Sequence, residues 1–302
     1  MKNHVCNEQK KTALLVDGHN LLYASFFGMP DRIKTPDGRA VHGVYGFVAC
    51  LLRMIRLFVP EVVAVCFDAE QATFRHKLFA EYKANRALPT DEANPFTQYA
   101  DIIHALEFLE IPFIEEGGFE ADDLIGSLAL RLADSMHIYV FSMDQDMLQL
   151  VNGNISVYSR SRGKGRIYDG REVVKKYGVS PIQFVDYRVL VGDPSDNIAG
   201  VPGIGPKTAV SLLHRFGSLR GIYENTQLLS PRISSALLEH YDEAMNNLNL
   251  LTIRTDVYLD VSVDDLYLND KNKILSMNVK YVMGELGLFP KVPYQGSLPG
   301  VR

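Results

Sequence analysis

Cysteine is scarce in this chain: Cys6, Cys50 and Cys66 are the only three among 302 residues. An odd number without metal-ligand spacing excludes a disulfide framework and predicts a reduced, cytoplasmic protein. No apolar run is long enough to cross a membrane, and the polar start over 1–11 lacks the apolar segment of a secretory signal. Internal repeats and low-complexity stretches are absent as well. Basic residues are not in excess, with 31 Lys and Arg against 36 Asp and Glu and a net charge of −5. Taken alone, that balance argues against a nucleic-acid partner. The remaining composition, 47% hydrophobic and 22% charged, is that of a globular protein with length for one large domain or two modest ones.

What the chain does have is acid in telling places. Glu120, Asp122 and Asp123 fall within four positions, ahead of Leu124, Ile125, Leu128, Ala129 and Leu132 at helical spacing. Acids on a first helical turn stabilise the dipole by ~0.3–1 kcal/mol each. Three together also repel one another, so capping alone is a poor account of them. The strand-like runs 12–16, 61–67 and 137–142 end at Asp17, at Asp68, and at Asp144 with Asp146. Helix-like stretches over 43–58, 96–109 and 121–133 alternate with them, which predicts a mostly parallel α/β sheet covered on both faces. Sites in such sheets form beyond the carboxyl ends of the strands. A lone Asp there is usually a turn or cap residue. Three strand ends plus the 120–123 cluster favour a metal site.

Between 71 and 95, Arg75, His76, Lys77, Lys83 and Arg86 are interleaved with Phe74, Phe79 and Tyr82, and Pro89 and Pro95 close the segment. That mixture suits phosphate contact and base stacking, or equally a solvated helix with its aromatics turned inward. A second basic run, Arg160, Arg162, Lys164 and Arg166 around Gly163 and Gly165, reads as a solvated hairpin-like turn. From about Lys175 the pattern changes to short helices and turns. Asp193 and Asp196 lie three residues apart, on one face of any helical turn. They precede Gly203-Ile204-Gly205-Pro206-Lys207-Thr208. Pro206 separates Gly205 from Lys207 and no buried strand comes before, so a nucleotide P-loop is rejected. A Gly-x-Gly hairpin between helices instead offers backbone N–H groups to phosphate without reading base sequence. Residues 272–288 read as one helix, and the Pro- and Gly-rich end from Pro290 as a mobile tail.

These residues carry a resemblance. LLVDG at 14–18, FDA at 67–69, TFR at 73–75, EYKANR at 81–86, EADD at 120–123, GDPSDN at 192–197 and GVPGIGPKTA at 200–209 are similar to the bacterial and phage 5′-nuclease family. That family comprises flap endonucleases and the amino-terminal 5′→3′ exonuclease part of DNA polymerase I. The resemblance covers about 12–260 and stops without a polymerase module, which implies a stand-alone nuclease. It implies a PIN-like, resolvase-like α/β core over 1–180 with a helical arch at about 71–100. A helix-three-turn-helix DNA-binding subdomain over 181–265 and a terminal helix with its tail over 266–302 would follow. Carried over residue by residue, one metal site falls on Asp17, Asp68, Glu120, Asp122 and Asp123, and a second on Asp144, Asp146, Asp193 and Asp196. Tyr82, Lys83 and Arg86 match positions facing the reacting phosphate and the unpaired 5′ end. Arg75, Gly203, Gly205, Lys207 and Thr208 match DNA contacts, the glycine hairpin also holding K+. Ala24, Glu70-Gln71 and Gln145 depart from the family's usual residues.

Setting those nine acids aside, 36 − 9 leaves 27 acids against 31 Lys and Arg, so the body outside the site is mildly basic. Oxygen-only ligands suit two Mg2+ or Mn2+ ions rather than zinc. The expected activity is metal-dependent hydrolysis of 5′ flaps, nicks, overhangs and RNA-DNA primer junctions, with a DNA polymerase as partner in trans and no membrane. The alternatives are a PIN-like ribonuclease, which has no need of the duplex-gripping hairpin, and a non-catalytic DNA-junction binding module, which would lack ligands. Haloacid-dehalogenase chemistry fails because His19, not an acid, stands two residues after Asp17. Crowding nine carboxylates further predicts that Asp123→Asn stabilises the metal-free protein by relieving repulsion.

Overall fold

A computed structural model describes residues 10–84, 93–161 and 163–294. In chain order the elements begin with β1 Lys11–Asp17, α1 Gly18–Gly28, α2 His42–Phe58, β2 Val62–Cys66, α3 Phe74–Leu78, α4 Tyr99–Phe108 and β3 Phe113–Ile114. Next come α5 Ala121–Leu132, β4 Met136–Phe141, β5 Ile155–Ser161, β6 Lys164–Tyr168, α6 Gly170–Tyr177 and α7 Phe184–Val191. After the short ribbon β7 Gly192–Asp193 and β8 Ile198–Ala199, the chain is helical: α8 Pro206–Phe216, α9 Leu219–Glu224, α10 Pro231–Glu239, α11 Tyr241–Leu251, α12 Lys271–Ser276 and α13 Val279–Glu285.

The six-stranded sheet has the order β3-β2-β1-β4-β5-β6, parallel except for β6. Runs such as Val62–Cys66 are buried throughout because both faces are covered. Alternate side chains divide between two apolar layers. Ala13 and Leu15 pack with Val62, Ala64 and α5, in a cluster that continues into the helical half through Val201, Leu213 and Leu251. Leu14 and Val16 pack with Val63, Val65, α2 and α4, and the terminal helices α12 and α13 close that side. β1 lies between β2 and β4, so the chain's winding reverses beside it, and the crevice beyond its carboxyl end is where such sheets build sites.

The expected helix over 272–288 is two helices instead. Met277 is extended and buried, and Asn278 caps α13 by accepting from the Tyr281 amide. Arg56 of α2 donates to the carbonyls of Leu275 and Met277, supplying partners that a continuous helix would have provided internally. The basic run around Gly163 forms the β5–β6 hairpin. There Arg160 donates to Cys50 Sγ at 3.0 Å and Arg166 pairs with Glu172, so both serve the fold. Residues 295–302, Cys6, Arg162, and Arg86 and Pro89 of the expected arch lie outside the described residues.

α5 approaches the 253–255 strap so closely that Gly126 has no room for a side chain. A Cβ there would sit 2.7 Å from Ile253 Cγ2 and 2.9 Å from the Arg254 carbonyl oxygen. Alanine favours a helix interior by ~1 kcal/mol over glycine. Overpacking against backbone costs ~1–3 kcal/mol. Gly126→Ala is therefore expected to destabilise in urea melts; a gain in stability would mean that the strap yields freely.

Candidate metal and active centre

Asp17 ends β1 and caps α1, accepting from the Asn20 amide at 2.9 Å and from Ser142 Oγ at 2.9 Å. Asp68, just past β2, accepts from the Ala121 amide at 2.7 Å, and His19 Nδ1 lies 3.2 Å from its Oδ2. Past β4, the Asp144 amide donates to Ser142 Oγ at 3.0 Å and the Asp146 amide to Asp144 Oδ1 at 2.8 Å, a tight turn that presents both acids. Glu120 and Asp122 stand at the start of α5. Asp193 comes from β7 and Asp196 from the 3-10 turn after it, where the Ser195 amide and hydroxyl both donate to Asp193 Oδ1. Asp17, Asp68, Glu120, Asp122, Asp144 and Asp193 line one cavity of about 600 Å³ with Lys83 and Arg188. Asp146, Asp193 and Asp196 are buried beside it and bring oxygens within 4.8 Å of one another. An all-carboxylate donor set this close fits hard divalent cations.

The segment after α3 ties the two acid groups together. Tyr82 OH lies 3.2 Å from Glu120 Oε2 and 3.3 Å from Asp196 Oδ2. Lys83 Nζ is 2.8 Å from Glu120 Oε2, while the Lys83 amide donates to the Asp196 carbonyl at 3.2 Å. Lys83 holds this place with φ 57°, a conformation unfavourable for a side-chain-bearing residue. Burial, then the Glu120 charge, drives the Tyr82 phenol far up, so it acts as a neutral donor.

Two expected site residues are used otherwise. Asp123 is 0% exposed and lies outside the cavity lining. Its carboxylate takes a bidentate pair from Arg75 at 2.6 and 2.8 Å, the Arg254 amide at 2.9 Å and the Glu120 amide at 3.1 Å. Four donors saturate it, leaving no lone pair for a metal. Arg75, 3% exposed, also donates to the carbonyls of Leu250 at 2.8 Å and Thr252 at 3.2 Å, so it is a buried strut rather than a DNA contact. The expected stabilisation by Asp123→Asn reverses for the same reason. Proximity in sequence to Asp122 suggested shared work, but consecutive helical residues point about 100° apart. Arg188, which sequence reasoning passed over, donates through Nε to Asp146 at 2.9 Å and pairs with Asp193 through Nη2. Its signal was its place five residues before Asp193, in the last turn of α7. Gly203 and Gly205 sit in the exposed turn before α8, Gly203 at φ +78° and Gly205 as the α8 N-cap, with Lys207 exposed on its first turn and Thr208 half-buried.

Crowding of the carboxylates shows in their acidities. Burial, with Asp68 next, pushes Asp17 up to about 7. Burial and Asp144 push Asp146 to about 7 despite Arg188. Asp122 and Asp144 are raised as well, by burial first and then by their acidic neighbours. Asp68 departs from this pattern: burial pushes it up, but the His19 hydrogen bond and charge and the Ala121 amide bring it down to about 2.

A parallel α/β core with carboxylates gathered at its strand ends, joined to a helical module that opens on a glycine turn, defines the resolvase-like nuclease class. The chain belongs to the 5′-3′ exonuclease family: the model of its N-terminal resolvase-like domain matches 12–178 and that of its C-terminal SAM fold matches 179–274. DNA polymerase I of Thermus thermophilus is 37% identical over 258 residues, and that of Mycobacterium tuberculosis 36% over 264 residues. These matches take in 85% and 86% of this chain but 30% and 29% of the relatives, so it spans about a third of their length. Among solved structures, the flap endonuclease of bacteriophage T5, in a pseudo-enzyme-product complex with DNA and metal ions, superposes with a TM-score of 0.69. It has 24% identity, with 81% of this chain and 90% of that one covered, a likeness of fold. Among the described residues no helix is long and apolar enough to cross a membrane.

Two stability outcomes follow from this geometry. Asp123→Asn takes from buried Arg75 its bidentate counter-charge, leaving Glu120 at 3.7 Å, and should cost about 3 kcal/mol or more. Asp122→Asn removes a repelling charge and should raise the metal-free melting temperature. Paired melts in EDTA check both, and the same sign for the two variants would contradict the assignment. The second outcome concerns pH. Folded Asp17 and Asp146 bind protons up to about 7, whereas unfolded they release them near 3.8. Their protonated-state stabilisation is complete below 3.8 and lost as pH rises toward 7, so metal-free protein should melt progressively lower across that window. Asp68 works in the opposite sense, losing stabilisation only as pH falls from 3.8 toward about 2. Added Mg2+ should flatten the decline; a melting temperature rising from pH 4.5 to 7 in EDTA would refute the crowding.

Proposed function

We propose that this chain is a Mg2+- or Mn2+-dependent, structure-specific 5′ nuclease that hydrolyses phosphodiester bonds at 5′ flaps, nicks, overhangs and RNA-DNA primer junctions. The observation that carries the reading is the convergence of eight acids with Lys83 and Arg188 around one cavity at the strand ends. Asp17, Asp68, Glu120 and Asp122 would hold one ion and Asp146, Asp193 and Asp196 the other, with Asp144 between the groups. Two such ions, when bound, supply an activated water and polarise the scissile phosphate. The protein's part is to position and to balance charge. Lys83 Nζ, held at the cavity by Glu120, is placed to neutralise charge on a phosphate entering there. Tyr82 keeps Glu120 and Asp196 in register as a neutral donor. The turn at Gly203 and Gly205, with Lys207 and Thr208, would hold duplex backbone without base readout and take K+. Arg86 is the further arch cation in this reading.

In this reading the chain consists of the core with its arch, a duplex-gripping unit over 181–265 and the terminal piece, and it works with a DNA polymerase in trans. A ribonuclease of the PIN-like class leaves the exposed glycine turn unexplained, and a purely binding module leaves the eight acids unexplained. A 5′-labelled DNA flap, an RNA-primed junction, a blunt duplex and a single strand, compared in Mg2+, test the reading. Wild type should release 5′-phosphorylated products from the junctions. Asp122→Ala should abolish cleavage while flap affinity in Ca2+ stays within about tenfold, ~1.4 kcal/mol. Lys83→Ala should lower the single-turnover rate far more than affinity. Lys207→Ala should weaken binding on every duplex and flatten the salt slope by roughly one unit. Preferred cleavage of unstructured RNA, or full activity of Asp122→Ala, would sink the proposal.

A further inference from the structure

The second acid group already contains a cation of its own. Arg188 projects from the last turn of α7, lines the cavity, and is bound to two of the three acids that group together there. Its Nε is 2.9 Å from Asp146 Oδ1, and its Nη2 pairs with Asp193 Oδ2. The first acid group is arranged differently. Glu120 pairs with Lys83 at 2.8 Å and lies 3.7 Å from Arg75, and Asp68 lies beside His19, but Asp17 is held by neutral donors, Asn20 N–H and Ser142 Oγ. Carboxylates crowded without a counter-charge gain most from an incoming cation. Carboxylates already paired to a guanidinium gain least, because the ion must replace a charge-assisted bond that is already made.

We infer that Arg188 is a built-in counter-ion of the Asp146–Asp193–Asp196 group that competes with the second metal ion and so sets the two metal affinities apart. This deepens the metal-dependent nuclease reading and rests on it. The free protein then takes up one ion readily at Asp17, Asp68, Glu120 and Asp122. The second group accepts its ion only as the guanidinium yields. Arg188 acts here as a positioning residue: while the second ion is absent it holds Asp146 and Asp193 close without letting their charges drive the turn apart. Its planar fork can satisfy two carboxylates from one side chain, which an ammonium does less well.

The test is a Mn2+ titration of the DNA-free full chain, followed by electron paramagnetic resonance of the unbound ion, which requires no catalysis. Wild type should show one tight and one weak site. Arg188→Met keeps much of the side chain's bulk and removes its charge. It should tighten the weak site by about tenfold or more and leave the tight site within about twofold, a change of ~1.4 kcal/mol confined to one site. Arg188→Lys should fall between, because it keeps the charge but loses the fork. If Arg188→Met does not fold, the Lys variant decides alone: a weak site as weak as wild type's overturns the inference. So does a weak site unchanged or weakened in Arg188→Met, or two equivalent sites in wild type, and either result leaves the nuclease reading standing. A wild-type chain that binds no Mn2+ takes down that reading and this inference together.

Discussion

The buried pair of Arg75 and Asp123 holds the working parts in one frame. Arg75 reaches Asp123 on α5 with two bonds and the Leu250 and Thr252 carbonyls at the end of α11 with two more. Asp123 in turn fixes the Glu120 and Arg254 amides. α3, α5 and the helical half of the chain therefore meet at one guanidinium-carboxylate contact. Both groups are out of water, and the contact is tolerable because each guanidinium nitrogen and each carboxylate oxygen has a hydrogen-bond partner. Glu120 and Asp122 can point into the cavity because Asp123, between them in function though not in direction, anchors the turn that carries them.

The cavity inverts that economy. Its acids are gathered where few partners exist, and the fold contains the repulsion in three ways. Hydroxyl and amide donors take part of the charge, as Ser142 and Asn20 do for Asp17. Partial protonation takes more, with Asp17 and Asp146 raised to about 7. Lys83 at Glu120 and Arg188 at Asp146 and Asp193 add counter-charge. A site strained in this manner trades stability for cation affinity, the usual cost of a preorganised functional site. Without those eight acids, Lys and Arg outnumber the remaining acids 31 to 28, so the chain's acidic net charge lies in the cavity.

The three strand-end acids and the α/β architecture were readable because local pattern carries them. A buried parallel strand is a short run of Val, Ile and Leu, and its end is marked by the first polar residue able to turn the chain. Asp17 and Asp68 obey that rule, and Asp144 follows two residues after Ser142, the first polar residue past β4. The glycine turn at 203–205 was equally local, and the motif order led directly to the family. Arg75 was misread because an arginine among aromatics looks the same in sequence whether it faces DNA or a carboxylate 48 positions away. The helix over 272–288 was misjudged because its interruption depends on Arg56, more than 200 residues earlier.

What the sequence determined by itself is therefore the periodic and the adjacent: strands, helices, caps, turns, and which residue types stand at the strand ends. What only the tertiary structure decided is the division of labour among like residues. Asp122 and Asp123 are neighbours of identical chemistry, yet one faces the cavity and the other is saturated by Arg75, Arg254 and the Glu120 amide. Arg188 is one of many arginines until α7 sets it between Asp146 and Asp193. The reason is that Coulomb interaction and desolvation depend on distances and burial in space, which no spacing along the chain encodes.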